Sequence, residues 1–275
     1  MKEKFLRKFF IFGCVGFLVG GVFLGVRVRE EATVPRPGEA KEMIEAESTR
    51  SATEEDEDGD EDGILPLKQK SGDEDTYDAD ILVSSQVLAA PFISQAPRGE
   101  WKNALFQNGC EEASVFMASR LGNDEPVSEE HAEQALLALA HLSEQLFDTS
   151  VDTSAEDTLQ LFRAYTGKED GRLMEQVTGE ILRATLARGE AMIIPMNGRL
   201  LGNPHFTAPG PETHMLVLLG YDVVTEEYIA HDPGTRFGAE YRYPRERFEN
   251  AIRDYPTGNH LPITSVAKRA IVIGK

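Results

Sequence analysis

Near residue 190 the hydrophobic period of the chain changes, and that change limits the fold more than any other feature of the sequence. Before it, SEEHAEQALLALAHLSEQLF (128–147), SAEDTLQLFRAYT (154–166) and EQVTGEILRATLAR (175–188) each pair a polar face with an apolar stripe at helical spacing. A shorter segment from Glu111, EEASVFMASRLG, puts Ala113, Phe116, Met117 and Leu121 on one stripe and closes on Gly122, a C-terminal cap signal. After it, AMIIPM, HMLVLLGYD, EEYIAHDP, AEYRY and RAIVIGK are short, β-rich and separated by glycine, proline or charged turns. That pattern predicts an antiparallel sheet. Helices first and strands afterwards make an α+β domain rather than an alternating α/β one, with the 175–188 helix packing back on the sheet.

This domain is expected to begin only at about residue 81. The chain opens with Lys2, Lys4, Arg7 and Lys8 and then runs about 18 residues, Phe9 to Val26, without a charge. That length crosses a bilayer as a helix. The flanking basic residues leave 1–8 cytoplasmic, make 9–27 a membrane anchor and export the rest of the chain. A cleaved signal peptide would want a shorter apolar core and a small-x-small site, and neither is present after Val26. Lipidation at Cys14 would leave twelve apolar or glycine residues where a mature lipoprotein turns polar. Residues 28–80 contain EEDEDGDEDG and SGDEDTYDAD and few aromatics, too little apolar surface to fold, so they read as a linker. Most of the net charge of −19 sits there, and self-repulsion extends such a tether. DGDEDG lacks the flanking helices and closing glutamate of a calcium loop, and an acidic chain is a poor nucleic-acid binder. About 195 residues remain, Ile81 to Lys275, a normal length for one domain with one core and no internal repeat.

Cysteines outside the cytoplasm are usually paired. This sequence has two, Cys14 in the apolar run and Cys110 in QNGCEEAS, and joining them would drag Cys14 out of the bilayer. Cys110 is therefore an unpaired thiol at the start of a predicted helix. Exposed amides and the helix dipole lower a thiol's pKa there, and the same amides can hold the oxyanion formed when a thiolate attacks a carbonyl. A nucleophilic thiol also needs a base and a group to orient that base. His214 opens the strand HMLVLLGYD, and Asp232 ends the next one in IAHDPG. Pairing these strands around a turn at 223–227 leaves both residues at the same end of the ladder. His231, beside Asp232, points to the opposite face by strand alternation.

PFISQAPRGEW, NGCEEASVFMA, THMLVLLGYD and IAHDPGT together resemble the papain-fold cysteine peptidases related to the bacteriocin-leader-processing, double-glycine peptidases, in their stand-alone branch. The resemblance covers about residues 90–275. It implies a papain-like fold in which Cys110 attacks, His214 acts as base and then acid, Asp232 orients His214, and Gln95 lines the oxyanion hole. Gln107 is the rival oxyanion donor. Two departures stand out: Glu111 occupies the position where the exporter peptidases carry glycine, and the stretch from Gln95 to Cys110 is longer than in compact members.

Each residue also has a plainer reading. A cysteine near a helix start is most often a small buried apolar side chain, His214 alone reads as a strand-edge or core histidine, and His205 in GNPHFTAPGPETH reads as a loop residue. Structural roles suffice for His131 and His141, and Trp101 in RGEW is either a core anchor or a cleft wall. Cys110, His205, His214 and Asp232 lack the short paired spacing of a zinc site, so no metal or cofactor is expected. The order of thiol, histidine and carboxylate on one helix and two strands favours catalysis. The sequence thus predicts a membrane-tethered, extracytoplasmic cysteine peptidase or amidase acting on a peptide or protein. The alternatives are an inactive peptide-binding module and a hydrolase of cell-wall peptides. Leader processing would require a separate transporter, because the sequence carries neither a multi-span bundle nor a P-loop.

Overall fold

The computed structural model describes residues 87–264 and 266–274. The expected anchor at 9–27 and linker at 28–80 lie outside the described residues. Among those described, no helix is long and apolar enough to cross a membrane. In chain order the elements are α1 (Ala104–Gln107), α2 (Cys110–Ser119), α3 (Glu129–Phe147), α4 (Ala155–Thr166), β1 (Gly171–Met174), α5 (Gly179–Ala187), β2 (Ala191–Met196), α6 (Gly198–Leu201), β3 (His214–Asp222), β4 (Glu227–His231), β5 (Tyr241–Pro244), α7 (Arg245–Ala251) and β6 (Ala270–Ile273). The class is α+β, as the period change predicts.

The six strands form one antiparallel sheet in the order β1-β6-β2-β3-β4-β5. Strand alternation divides its side chains between two cores. Ile193, Met215, Val217, Leu219, Ile271 and Ile273 face one side, where Phe116 and Met117 of α2, Leu136 and Leu139 of α3, and Leu161 and Phe162 of α4 cover them. Met192, Ile194, Leu216, Leu218, Ala230 and Val272 face the other, under Leu182 of α5 and Phe248 of α7. β2 is buried at every position and β3 at all but its last. Covering on both faces is why these strands read as continuous apolar runs instead of alternating ones. Fully burying one such Leu, Ile or Phe contributes about 1.5–3 kcal/mol.

Local chemistry sets the boundaries. Ser128 caps α3 by accepting from the His131 amide, and Ser154 caps α4 by accepting from Asp157. The helix expected over 175–188 begins only at Gly179, because Gln176 stands at φ 54° and Thr178 supplies the cap to Ile181. Helix α2 ends at Ser119, short of Gly122. That glycine, at φ 94°, lies beyond the helix and gives its N–H to the carbonyl of Ala89. β1 comes before α5, so one edge strand precedes the last of the sheet-covering helices expected from the sequence.

The β3–β4 hairpin turns where expected, with Asp222 paired to Glu227. Asp222 Oδ1 accepts from the amides of Val224 and Thr225, and Glu226 takes the left-handed conformation that closes the turn. The ladder runs from there to Val217 opposite His231, with a bulge between Leu218 and Gly220. Its open end delivers His214 and the residues after His231 to the same end of the sheet, against the start of α2.

Candidate active site

Cys110 is the first residue of α2 and is 7% exposed. Gly109 precedes it as N-cap without a side-chain cap bond, and the first intrahelical bond is made by Ala113 to the Gly109 carbonyl. The amides of Cys110, Glu111 and Glu112 thus make no intrahelical bond, as at any helix start, and that of Glu111 faces its own carboxyl. A cleft of about 830 Å³ opens over this point. Cys110, Gln95, Gln107, Trp101, His205 and His214 line it.

His214 enters from the start of β3 with its ring buried, and its Nε2 lies 2.8 Å from Oδ1 of Asp232. That bond leaves Nδ1 as the nitrogen for proton exchange with the cleft. Phe206 stands edge-on to the imidazole with ring centroids 5.2 Å apart. Gly234 makes room on another side: a Cβ there would lie 2.8 Å from His214 Cε1 and 3.2 Å from Asp232 Oδ1. The ring is therefore held by a carboxylate, an aromatic edge and a bare backbone.

Asp232 lies one residue past β4, with its amide bonded to the Gly238 carbonyl. It is fully buried and accepts on both oxygens: Oδ1 from His214 and from the Gly234 amide at 2.9 Å, Oδ2 from Asn203 Nδ2 at 3.2 Å and from the Tyr243 hydroxyl. Burial alone would raise its pKa. The charge and hydrogen bond of His214, with the Tyr243 and Gly234 donors, outweigh it and hold the carboxyl below its ordinary value. Asn203 is itself oriented by taking the His205 amide on Oδ1. Sequence reasoning named neither Asn203 nor Tyr243; the signal available was that a buried aspartate requires about four donors.

Among the described residues, no hydrogen bond joins the thiol to the base. The thiol hydrogen bond runs to Oε2 of Glu111 at 3.1 Å, and burial, then the charge and hydrogen bond of Glu111, push its pKa well above the ordinary value against the Met215 amide. In this state Cys110 is a thiol. Gln95 also differs from a ready oxyanion donor. Its Nε2 donates to the carbonyls of Phe106 at 3.0 Å and Gln107 at 2.9 Å, which uses both amide hydrogens to close the C-terminal end of α1. Its Oε1 is buried without a partner. The Gln107 side chain, by contrast, is exposed in the cleft.

The remaining histidines separate cleanly. His231 donates from Nε2 to the Ala90 carbonyl and accepts the Glu240 amide on Nδ1, which defines one neutral tautomer in the core. His205 is exposed on the cleft rim with its ring 4.8 Å from that of Phe237. Trp101 lines the cleft and packs on the helix-side core. Among the described residues, no group of three or more His, Cys, Asp or Glu is disposed to hold a metal ion.

A free thiol at a helix start, a carboxylate-held histidine at the end of a central strand and one cleft serving both define the class of papain-like α+β domains. Residues 87–258 match the family model described as the peptidase C39-like family, and the chain belongs to that family. No curated protein matches it. Among solved structures, a protein from Bacillus anthracis described as a C39-like peptidase aligns at 19% identity with a TM-score of 0.43, over 69% of this chain and 98% of that one.

Proposed function

We propose that the domain is a cysteine peptidase or amidase in which Cys110 attacks, His214 moves the proton and Asp232 orients His214. The observation that carries this reading is the placement of the Cys110 sulfur and the His214 ring on one cleft, with Nε2 of the ring committed to a buried carboxylate. When a peptide carbonyl enters, the Sγ proton passes to Nδ1 of His214 and the sulfur bonds to carbon. The oxyanion meets the backbone amide of Cys110 at the start of α2, and His214 returns the proton to the leaving nitrogen. Water then hydrolyses the thioester with His214 as base. Asp232 stays ionised throughout and stabilises the imidazolium.

The N-terminal apolar run and acidic tether extend the proposal to an anchored domain outside the cytoplasm. Protease added to intact cells should then remove the 87–274 domain, and full protection would refute that location. For the chemistry, the test is cleavage of a peptide library read by mass spectrometry. The parent should release products and Cys110→Ala should fall to background with an unchanged melting curve; cleavage by Cys110→Ala at the parent rate would defeat the proposal. The bond between the thiol and Glu111 favours a second reading, an inactive module that grips peptides in the same cleft. Peptide capture without turnover by both proteins would select it.

A further inference from the structure

Glu111 has no part in the thiol, base and orienting carboxylate, yet it touches the reacting atom. It follows Cys110 in α2, is 1% exposed, and takes the Sγ hydrogen on Oε2 at 3.1 Å. Its Oε1 accepts from the Tyr255 hydroxyl at 2.7 Å, and the same phenol lies 3.3 Å from the main-chain carbonyl of His214. One phenol thus joins this carboxyl to the strand end that carries the base. Among the described residues no cation pairs with Glu111, so its charge, when present, has only hydrogen bonds from the thiol, the phenol and its own amide to offset desolvation.

A carboxyl in this position has two hydrogen-bonding states. Ionised, it is acceptor only, and both the thiol and the phenol supply it with hydrogen. The thiol proton is then directed away from His214, and a thiolate would have to form beside a second negative charge. Neutral, the group can carry its proton on Oε2 and donate it to sulfur, while Oε1 still accepts from Tyr255. Resting on the reading that Cys110 is the nucleophile, we propose that Glu111 is a catalytic residue that gates it: neutral Glu111 donates to the Cys110 thiolate and arms it, whereas ionised Glu111 holds Cys110 as a thiol. In the arming step the S–H bond breaks, its proton goes to Nδ1 of His214 and sulfur keeps the electron pair. Glu111 keeps its own proton throughout and turns it onto sulfur.

The surroundings of Glu111 favour the neutral form. On its own helix stand Cys110 and Glu112, a buried carboxyl whose two oxygens have no partner. The loop between α3 and α4 brings Asp152, whose Oδ2 is shared with the amide and ring of His260. The segment after α7 brings Tyr255, and β3 brings His214 with Asp232 behind it. Burial, followed by the Asp152 charge, lifts Glu111 above the ordinary carboxylate range against the opposing donors Tyr255, Cys110 and its own amide. The sign is then fixed: as pH falls through the Glu111 titration the armed form gains, and as pH rises through it the sulfur is disarmed.

The experiment measures the iodoacetamide alkylation rate of Cys110 by intact mass across about pH 4 to 10, spanning carboxyl to thiol ionisation. Parent, Glu111→Gln and Tyr255→Phe are compared, with Cys110→Ala as blank and thermal melts as the check on folding. The parent should show a reactive plateau on the acid side that falls off before ordinary thiol ionisation lifts the rate again. Glutamine is uncharged at every pH and still donates, so Glu111→Gln should extend the plateau and react at least about tenfold faster than the parent at neutral pH, given the strength of repulsion between adjacent charges. Tyr255→Phe removes a donor that favours the ionised carboxyl and should move the plateau edge to higher pH. A purely structural phenol would leave that edge in place. If Glu111→Gln fails to fold, the edge in Tyr255→Phe decides. Profiles of both variants overlaying the parent, or loss of reactivity at every pH in a folded Glu111→Gln, overturn the gate alone. A parent thiol no faster than free cysteine at any pH overturns the gate and the nucleophile together.

Discussion

Replacing Asp232 by Asn tests the buried carboxylate on which the site hangs. Four donors converge on it: His214, the Gly234 amide, Asn203 Nδ2 and the Tyr243 hydroxyl. Asparagine can keep its oxygen towards His214 and Gly234, but its NH2 then faces Asn203 Nδ2, which cannot reverse because Asn203 Oδ1 already holds the His205 amide. Tyr243 can turn to accept. The change therefore converts two charge-assisted bonds to neutral ones and opposes one pair of donors in a fully buried place, a loss of about 2–4 kcal/mol of folding stability at neutral pH. The pH dependence is specific. Asp232 is held below its ordinary value of 3.8, so its contribution is fully present above that pH and is lost as pH falls through the lower folded value. Urea unfolding of parent and variant in parallel should show a constant gap through neutral pH that closes below about 3.8. A gap smaller than about 1 kcal/mol, or one that persists unchanged into acid, would show that the carboxylate is not held as described.

The same geometry sets two further outcomes. Gly234→Ala places a methyl against His214, Phe206 and Asp232 together, so it should cost about 1–3 kcal/mol in a thermal or urea melt and lower peptide cleavage by about 10²-fold; parent-like kinetics would mean that the ring position is not critical. Gln95→Ala should lower the melting temperature, because two carbonyls at the end of α1 lose their donor, whereas Gln107→Ala should leave the melt unchanged. If Gln107→Ala also cuts kcat by about 10²–10³ and Gln95→Ala does so only in proportion to its instability, the exposed Gln107 amide is the oxyanion donor; the reverse ranking would require the Gln95 amide to leave α1 during turnover.

What the sequence disclosed and what it hid divide along the range of the interactions. Periodicity located α3 and α4 almost to the residue, since serine caps and long amphipathic stripes are local signals. The buried runs of β2 and β3 and the turn before Glu227 were equally local, and they were enough to bring His214 and Asp232 together. β1 was hidden, being a four-residue edge strand whose Gly171 is bare because Leu159 and Ile273 crowd it. No local pattern announces that β6 enters between β1 and β2. The same holds within the site. Tyr255, Asn203 and Tyr243 lie far along the chain from the groups they serve, and only tertiary contact gives them a role. Gln95 was named by resemblance and lines the same cleft as the thiol, but its hydrogens are spent on α1. The charge that the sequence places next to Cys110 does meet the sulfur directly.

The central claim is that His214 makes the Cys110 sulfur nucleophilic. Its most direct measurement is the iodoacetamide alkylation rate of Cys110 in parent and His214→Ala, followed by intact mass at the pH where the parent reacts fastest, with both proteins shown to be folded. The account predicts a parent rate well above that of free cysteine and a fall of at least about tenfold on removing the imidazole, the loss expected when a thiolate no longer has its paired cation. Equal rates in the two folded proteins would contradict it.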